Sequence, residues 1–218
     1  MGVALPERKR QPLLALLALI LLAACSPYAD AERDVAAGGR GLAKLNPSPQ
    51  QGYELVLTLK DAPGPFAVVE GVAQYDARNY AACGRIVPAT GTAGRITSQE
   101  PIALRQVGEN EYRGTFYLDR MQDEDYYGRG VCHWALTGVG AMLRATTGEG
   151  DTRFLTFIDK ERMENESPLT LYYPKLIYPL AATVANYGAS GEENPSEYSE
   201  DLRDALFSTT TTVQKLAP

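Results

Sequence analysis

The run of residues from Val131 to Thr146, VCHWALTGVGAMLRAT, decides the fold class of this chain. It is long and largely apolar, as expected of a strand in a β-rich core. Gly138 and Gly140 predict a bend or bulge within it. Alternation along a strand puts one apolar set on each face: Cys132, Trp134, Leu136 and Met142 on the first, and Val139, Ala141 and Leu143 on the second.

Shorter segments of similar character lie on both sides of this run. Residues 53–60, 67–75, 85–87, 102–107, 111–118, 153–158 and 169–178 are predicted strands, the last at a sheet edge and 67–75 as the return of 53–60. Gly108-Glu109-Asn110 predicts a hairpin between 102–107 and 111–118. About seven short strands separated by turn residues predict a mostly β fold, either an antiparallel β-sandwich or a small barrel.

The last part of the chain is more polar, so the β-rich domain is predicted at residues 52–187 and a polar C-terminal segment at 188–218. Ser199 suits the cap of a short C-terminal helix over residues 199–207, and Leu202, Leu206 and Phe207 would share one face of it. The run Thr209–Thr212 is of low complexity, and we expect it to be loosely held.

The N-terminus has the three parts of an export signal. Arg8, Lys9 and Arg10 precede a run of Leu, Ala and Ile over residues 13–22, which is short for a membrane span of about 20 residues. The ending Leu22-Ala23-Ala24-Cys25 resembles the lipobox of bacterial lipoproteins; the alternative is an ordinary secretion signal that contains a cysteine.

That resemblance implies the location of the protein. Residues 1–24 would be a cleaved signal peptide, Cys25 the lipidated N-terminus, and residues 25–51 the lipidated start and a flexible tether. In that family, Ser26 after the cysteine implies a lipid-anchored protein of the cell envelope, at the outer membrane and facing the periplasm.

If Cys25 is lipidated, two cysteines remain in an oxidising compartment, and we expect Cys83 and Cys132 to form a disulfide. The alternative is two buried thiols. Two cysteines and one histidine without a C-x-x-C spacing do not supply a zinc site, and neither a metal nor a cofactor is expected.

The charge of the chain bears on its partners. Without residues 1–24, the chain has 18 basic and 26 acidic residues, a net charge of −8. That balance argues against nucleic acid, whose phosphates require Lys and Arg, and against adhesion to anionic lipid through a basic patch. It would steer a basic protein towards the surface, although solubility alone also explains it.

The densest acidic and aromatic stretch runs from residue 119 to 127. Four interpretations are open: a solvated turn, a contact loop for a basic protein with tyrosine anchors, a Ca²⁺ site without EF-hand spacing, and a pair of glycosidase carboxylates. We take the contact loop as the partner-binding hypothesis. Its candidate residues are Asp119, Asp123, Glu124, Asp125, Tyr126 and Tyr127.

His133 is the one histidine of the chain. On a strand it would point away from the side of Cys132 and Trp134, so we expect it to be exposed. A catalytic histidine needs a nucleophile and an orienting carboxylate, and the sequence has no Gly-x-Ser-x-Gly elbow. No catalytic residue is therefore assigned, and the chain is not expected to be an enzyme.

The mature chain also resembles the β-rich immunity lipoproteins that bacteria carry beside secreted antibacterial effectors. The shared features are the lipobox, the strand start Gly130-Val-Cys132-His-Trp134, the acidic loop before it, and Cys83 as a partner. This resemblance implies a periplasmic protein that binds and neutralises a toxin. The alternatives are an assembly lipoprotein of a secretion or envelope machine, and a hydrolase of envelope polymers.

Overall fold

A computed structural model describes residues 40–217, so the lipobox, Cys25 and the first part of the predicted tether lie outside the described residues. The strands, in chain order, are β1 (Gly52–Lys60), β2 (Val68–Ala77), β3 (Ile86–Val87), β4 (Thr92–Ala93), β5 (Thr97–Ile102), β6 (Arg105–Gly108), β7 (Glu111–Tyr117), β8 (Trp134–Arg144), β9 (Arg153–Asp159), β10 (Leu169–Pro174), β11 (Gly188–Ala189) and β12 (Leu206–Lys215).

Two five-stranded sheets form a β-sandwich, the first of the two predicted architectures. The first sheet has the order β10-β12-β1-β7-β6, and the second has the order β11-β9-β8-β2-β5. Strands β3 and β4 form a separate hairpin. All of these pairs are antiparallel except β9 with β11. The hairpin predicted around Gly108-Glu109-Asn110 is the pair β6–β7.

The core lies between the sheets and is partly aromatic. Phe154 of β9 packs edge-on against Tyr173 of β10 and Phe207 of β12, with ring centroids 5.5 and 5.1 Å apart. Below them, Thr156 of one sheet and Thr211 of the other share a buried hydroxyl–hydroxyl hydrogen bond of 2.8 Å. Contacts of both kinds join the two sheets into one core.

Strand β8 confirms the predicted irregularity and explains its two apolar faces. The register with β2 shifts by one residue opposite Thr137, which donates its hydroxyl to the carbonyl of Gln74 at 3.1 Å. A bulge of this kind reverses the alternation of side chains. Leu136 before the bulge and Val139 after it therefore both face the core, and both are buried.

Gly138 and Gly140 serve a further purpose, because β9 comes very close to them. A Cβ at Gly138 would lie 2.5 Å from a ring carbon of Phe157, and one at Gly140 would overlap the Thr156 carbonyl oxygen. The ring of Phe157 thus covers two positions that have no side chain of their own.

Two sequence-based expectations about topology are wrong. Residues 67–75 do not return beside 53–60, because β1 lies in one sheet and β2 in the other. The threonine run is not loose either: β12 pairs with both β1 and β10, and Thr209 and Thr211 are buried. Threonine combines high β-propensity with a methyl group that can pack, so a polar composition concealed a central strand.

The helices are short. α-Helical turns lie at Tyr80–Cys83, Lys160–Glu164 and Glu200–Arg203, and 3₁₀ turns lie at Lys175–Ile177 and Pro195–Glu197. The predicted C-terminal helix is only the turn at Glu200–Arg203, after which Leu206 and Phe207 enter β12. Strand β10 confirms the edge position predicted for 169–178, but it ends at Pro174. Within residues 40–217, no helix has the length and apolar character needed to cross a bilayer.

The described end of the predicted tether is held by the domain. Residues 40–51, which we call the N-terminal segment, contain the buried Ala43 and a β-bridge from Leu45 to Met121. Arg40 forms a 2.6 Å ion pair with Glu100, which is buried. The flexible tether predicted for 25–51 therefore does not extend over residues 40–51.

Candidate functional site

The predicted partner-binding residues lie in the connection from β7 to β8, at the end of the sandwich where the N-terminal segment enters. We call Asp119–Tyr127 the acidic segment. Register defines this end: Gly52 pairs with Tyr117 here, whereas Lys60 pairs with Ser208 at the opposite end. The structure brings the six candidates together in one segment, but it gives them different surroundings.

Asp119 anchors the N-terminal segment. Its carboxylate accepts the amide N–H groups of Gln50 at 2.9 Å and Gln51 at 3.0 Å. Its carbonyl accepts the side-chain amide of Asn46 at 2.9 Å. Both carboxylate oxygens are thus engaged by neighbouring backbone, which makes Asp119 a structural residue.

Asp123 holds the start of β8. One carboxylate oxygen accepts the Trp134 amide at 2.9 Å, and the other lies 2.7 Å from Nδ1 of His133. The His133 side chain is 60 % exposed and that of Asp123 is 47 % exposed, which confirms the exposure expected of His133. This arrangement is a surface pair, and such pairs contribute little to stability.

Glu124 and Tyr126 contact the N-terminal segment from the other side. Both carboxylate oxygens of Glu124 accept hydrogen bonds from the Lys44 ammonium group, at 2.7 and 2.9 Å. The hydroxyl of Tyr126 donates to the carbonyl of Gln122 and accepts the Lys44 amide at 3.5 Å. Partial burial raises the pKa of Tyr126.

Asp125 organises the turn that follows it. Amide groups of Gly130, Arg129, Gly128 and Tyr127 lower the pKa of its carboxyl, that of Gly130 most strongly. The Arg129 amide donates to it at 2.9 Å. Gly128 and Gly130 have φ of 68° and 108°, a region that favours glycine. Tyr127 packs edge-on against Tyr126, with centroids 6.5 Å apart.

The disulfide between Cys83 and Cys132 is confirmed, and it ties this end together. Beside it lies Asn79, a residue that sequence reasoning missed. Its side-chain amide donates to the Val131 carbonyl at 2.8 Å, and its oxygen accepts the His133 amide at 2.8 Å. No local pattern could have indicated this bridge, because its partners are more than 50 residues away in the chain.

The chemistry of the acidic segment follows from these contacts. Its carboxylates accept donors from their own chain, so they organise the surface more than they await a ligand. Among residues 40–217, no group of three or more His, Cys, Asp or Glu side chains is placed to hold a metal ion. What the segment offers to a partner is a set of fixed, partly exposed acidic side chains.

A second surface was not predicted from the sequence. Residues 176–187, which we call the apolar loop, lie at the opposite end of the sandwich from the N-terminal segment. Four of its side chains are large, apolar and exposed: Leu176 (61 %), Leu180 (51 %), Val184 (52 %) and Tyr187 (41 %). No charged residue occurs from Leu176 to Gly191. This lack of charge was the signal available in the sequence.

The base of the apolar loop is firmly attached to the sandwich. Thr152 donates its amide to Pro179 at 2.8 Å and its hydroxyl to Ile177 at 2.6 Å. The ring of Tyr178 packs against Phe66, with centroids 5.5 Å apart. At the other end of the loop, the Asn186 amide donates to a backbone carbonyl at 3.0 Å. These contacts leave residues 180–185 projecting between two fixed ends.

Comparisons with protein-family models, with curated proteins and with solved structures find no match for this chain.

Proposed function

We propose that this chain is a lipoprotein of the cell envelope that is anchored through Cys25 and binds another protein. The observation that carries the binding role is the apolar loop, with its four exposed apolar side chains on a fixed base. Large groups of exposed apolar side chains mark interaction sites in proteins, and four such side chains lie within twelve residues here. The anchor is supported by the lipobox Leu22-Ala23-Ala24-Cys25.

The attachment of the loop favours binding. A flexible loop loses conformational entropy when it is ordered by a partner, and that loss weakens the complex. Here the hydrogen bonds of Thr152 and Asn186 already hold both ends of the loop. Leu180 and Val184 therefore reach a partner in a largely organised conformation.

The position of the loop fits an anchored protein. The N-terminal segment enters at one end of the sandwich, beside Asp119, and the apolar loop lies at the other. A chain anchored through Cys25 can therefore present the loop away from its point of entry.

Within this class, we propose neutralisation of a secreted antibacterial protein in the periplasm as the specific role. The acidic segment supports it, because Asp123, Glu124 and Asp125 form a fixed acidic surface that suits a basic partner. A role in assembling an envelope machine is the alternative, and it would use the apolar loop.

Site-specific photocrosslinking in cells tests the binding role. A crosslinking amino acid at Val184 is compared with one at Thr115, which is also exposed but lies on the first sheet. We expect one protein to be crosslinked from position 184 and not from 115. The same products from both positions, or none from 184, would contradict the proposal.

Two variants then separate the surfaces. With the crosslinking amino acid kept at position 184, Leu176→Ser with Leu180→Ser should abolish the crosslinked complex if the apolar loop binds the partner. Glu124→Gln with Asp125→Asn should weaken it if the partner is a basic toxin held by the acidic segment.

A third variant, Cys25→Ser, tests the anchor. It should move the protein from the membrane fraction to the soluble fraction of the periplasm. Membrane attachment that persists would overturn lipidation at this position.

A further inference from the structure

A small hairpin projects from the end of the sandwich at which the N-terminal segment enters. It runs from Arg85 to Arg95 and contains β3 and β4; we call it the basic hairpin. No acidic residue occurs in the sequence between Asp76 and Glu100, although acidic residues outnumber basic ones by 27 to 21 in the whole chain. The hairpin therefore differs in charge from the rest of the protein.

The basic hairpin also exposes apolar side chains. Ile86 and Val87 are 39 % and 38 % exposed, and Val131 beside its base is also exposed. The side chain of Arg95 is 67 % exposed, although it forms a 2.8 Å ion pair with Asp76. Exposed aliphatic groups flanked by arginines match both layers of a membrane surface, the acyl boundary and the phosphates.

The hairpin is rigidly mounted. Cys83, two residues before it, is bonded to Cys132. Arg129 donates to the carbonyl of Gly84, and the Gly94 amide donates to the Arg85 carbonyl at 3.1 Å. The exposure of Ile86 and Val87 is thus a property of the folded domain.

The charges of the chain are divided between its two ends. Residues 40–51, 76–97 and 118–134 contain seven basic and five acidic side chains; with Glu100, which binds Arg40, and Asp159, Lys160 and Glu161, which lie beside Arg78, the hairpin end has eight of each sign. The other described residues contain 9 basic and 15 acidic side chains, a net charge of −6. The hairpin end is therefore close to neutral and the rest of the domain is acidic, so an anionic surface is repelled least at the hairpin end.

The acidic segment belongs to this same end, and its charges are partly balanced there. Glu124 is paired with Lys44, and Asp123 contacts the ring of His133. The amide groups that follow Asp125 surround its carboxylate. These donors reduce the repulsion that the segment would exert on an anionic surface.

The path of the chain adds a second reason to consider a membrane. Only residues 26–39 separate Cys25 from Arg40, and Arg40 is bound to Glu100 at the hairpin end. A stretch of this length spans at most about 50 Å when fully extended. A lipid on Cys25 would keep the hairpin end within about that distance of the bilayer.

We propose that the basic hairpin docks the domain on an anionic lipid bilayer. Ile86 and Val87 enter the interfacial layer, and Arg85, Arg95 and Arg129 contact lipid phosphates. The apolar loop does not suit this role, because no basic residue lies between Leu176 and Gly191 to contact the headgroups. The docked domain holds its apolar loop away from the membrane, where a protein partner can reach it. Docking covers the acidic segment, so this inference rests on the form of the proposed function in which the apolar loop binds the partner.

Vesicle sedimentation with lipid-free protein tests this inference separately from lipidation and from partner binding. Residues 26–218 contain the whole described sandwich and are mixed with vesicles of phosphatidylcholine, with or without about 30 % phosphatidylglycerol. We expect binding to the anionic vesicles alone, and we expect it to weaken as salt is raised. Absence of binding to anionic vesicles, or equal binding to both kinds, would overturn the proposal.

A matched pair of variants locates the contact. Arg85→Gln with Ile86→Ser and Val87→Ser alters the hairpin, whereas Arg105→Gln with Val107→Ser alters the exposed strand β6. The hairpin variant should bind anionic vesicles roughly tenfold more weakly or worse, and the β6 variant should bind like the unmodified chain.

Two controls keep the result interpretable. Thermal unfolding and non-reducing mass spectrometry establish that each variant is folded with its disulfide. Equal vesicle binding by the hairpin and β6 variants would overturn the assignment. So would binding that is lost on Leu180→Ser with Val184→Ser, because that result would move the membrane contact to the apolar loop.

Discussion

Removal of the disulfide is the most quantitative test of this architecture. The double variant Cys83→Ala with Cys132→Ala opens a covalent loop whose ends are 49 residues apart. In the chain-entropy model, a loop of this size restricts the unfolded state by about 4 kcal/mol. Because domains of this kind are stable by roughly 5–15 kcal/mol in total, we expect a folded but clearly weakened protein.

The structure also predicts where the loss is felt first. Both cysteines are buried, and the bond joins the helical turn Tyr80–Cys83 to the chain that enters β8. The basic hairpin follows directly after Cys83, and the acidic segment is bridged to Cys132 at Glu124. Amide hydrogen exchange should therefore increase in the hairpin and the acidic segment before it does so in the aromatic core.

Denaturant unfolding of residues 26–218 at pH 7 measures the effect. The unmodified chain and the double variant are each unfolded with and without reductant. Reductant should destabilise the unmodified chain by about 4 kcal/mol and leave the variant unchanged. A loss below about 1 kcal/mol, or an equal effect of reductant on both proteins, would refute the reasoning.

Three further predictions follow from single contacts. Gly140→Ala should lower the free energy of unfolding in denaturant by about 3 kcal/mol, because the added Cβ would overlap the backbone of β9, whereas Gly94→Ala, whose Cβ has an ordinary 3.5 Å neighbour, should lower it by less than about 0.5 kcal/mol. Equal losses in the two variants would contradict this packing. Arg40→Met should lower the free energy of unfolding by about 2 kcal/mol, because it leaves Glu100 buried without its cation, and adding Glu100→Gln should recover part of that loss. Strictly additive effects in the double-mutant cycle would show that the pair is not coupled. The lowered pKa of Asp125 stabilises the folded state at pH values above the ordinary carboxyl pKa, and this contribution is lost as the pH falls through the folded-state pKa. The Asp125→Asn variant should therefore lose less stability than the unmodified chain between pH 5 and pH 3, and identical profiles of stability against pH would exclude that role.

The candidate site could be predicted in position but not in chemistry. The sequence shows an acidic stretch ahead of Cys132, and the structure keeps it at the surface. Its engagement could not be foreseen, because the amides that bind Asp119 belong to Gln50 and Gln51, nearly 70 residues earlier. A carboxylate and its distant donors leave no shared local pattern.

The apolar loop could not be recognised from the sequence as an exposed surface. Its lack of charge is visible in the sequence, but Leu, Ile and Tyr residues are as common in a core as on a binding surface. Only the hydrogen bonds of Thr152 with Ile177 and Pro179 decide which residues turn inwards and which remain exposed. Whether a side chain of the loop is buried depends on which residues pack against it, and composition does not report that.

The features that the sequence determined by itself arise from interactions between residues close together in the chain, or from the number of cysteines. Strand alternation, turn residues and cysteine count predicted a mostly β fold, either a sandwich or a small barrel, together with the β6–β7 hairpin, the exposure of His133 and the Cys83–Cys132 bond. Each of these depends on the period of a strand, on the backbone preference of a few residues, or on there being only one pairing left.

What only the tertiary structure decided depends on pairing over long distances. The bulge at Thr137 brings Leu136 and Val139, predicted on opposite faces of β8, to the same core, whereas Met142 is only half-buried. The threonine run becomes β12 because β1 and β10 offer their backbone groups on either side of it. A strand's neighbours are chosen by the packing free energy of the whole sandwich. A polar run can therefore be central when most of its hydroxyls find partners, as Thr211 does with Thr156 and Thr210 with Thr170.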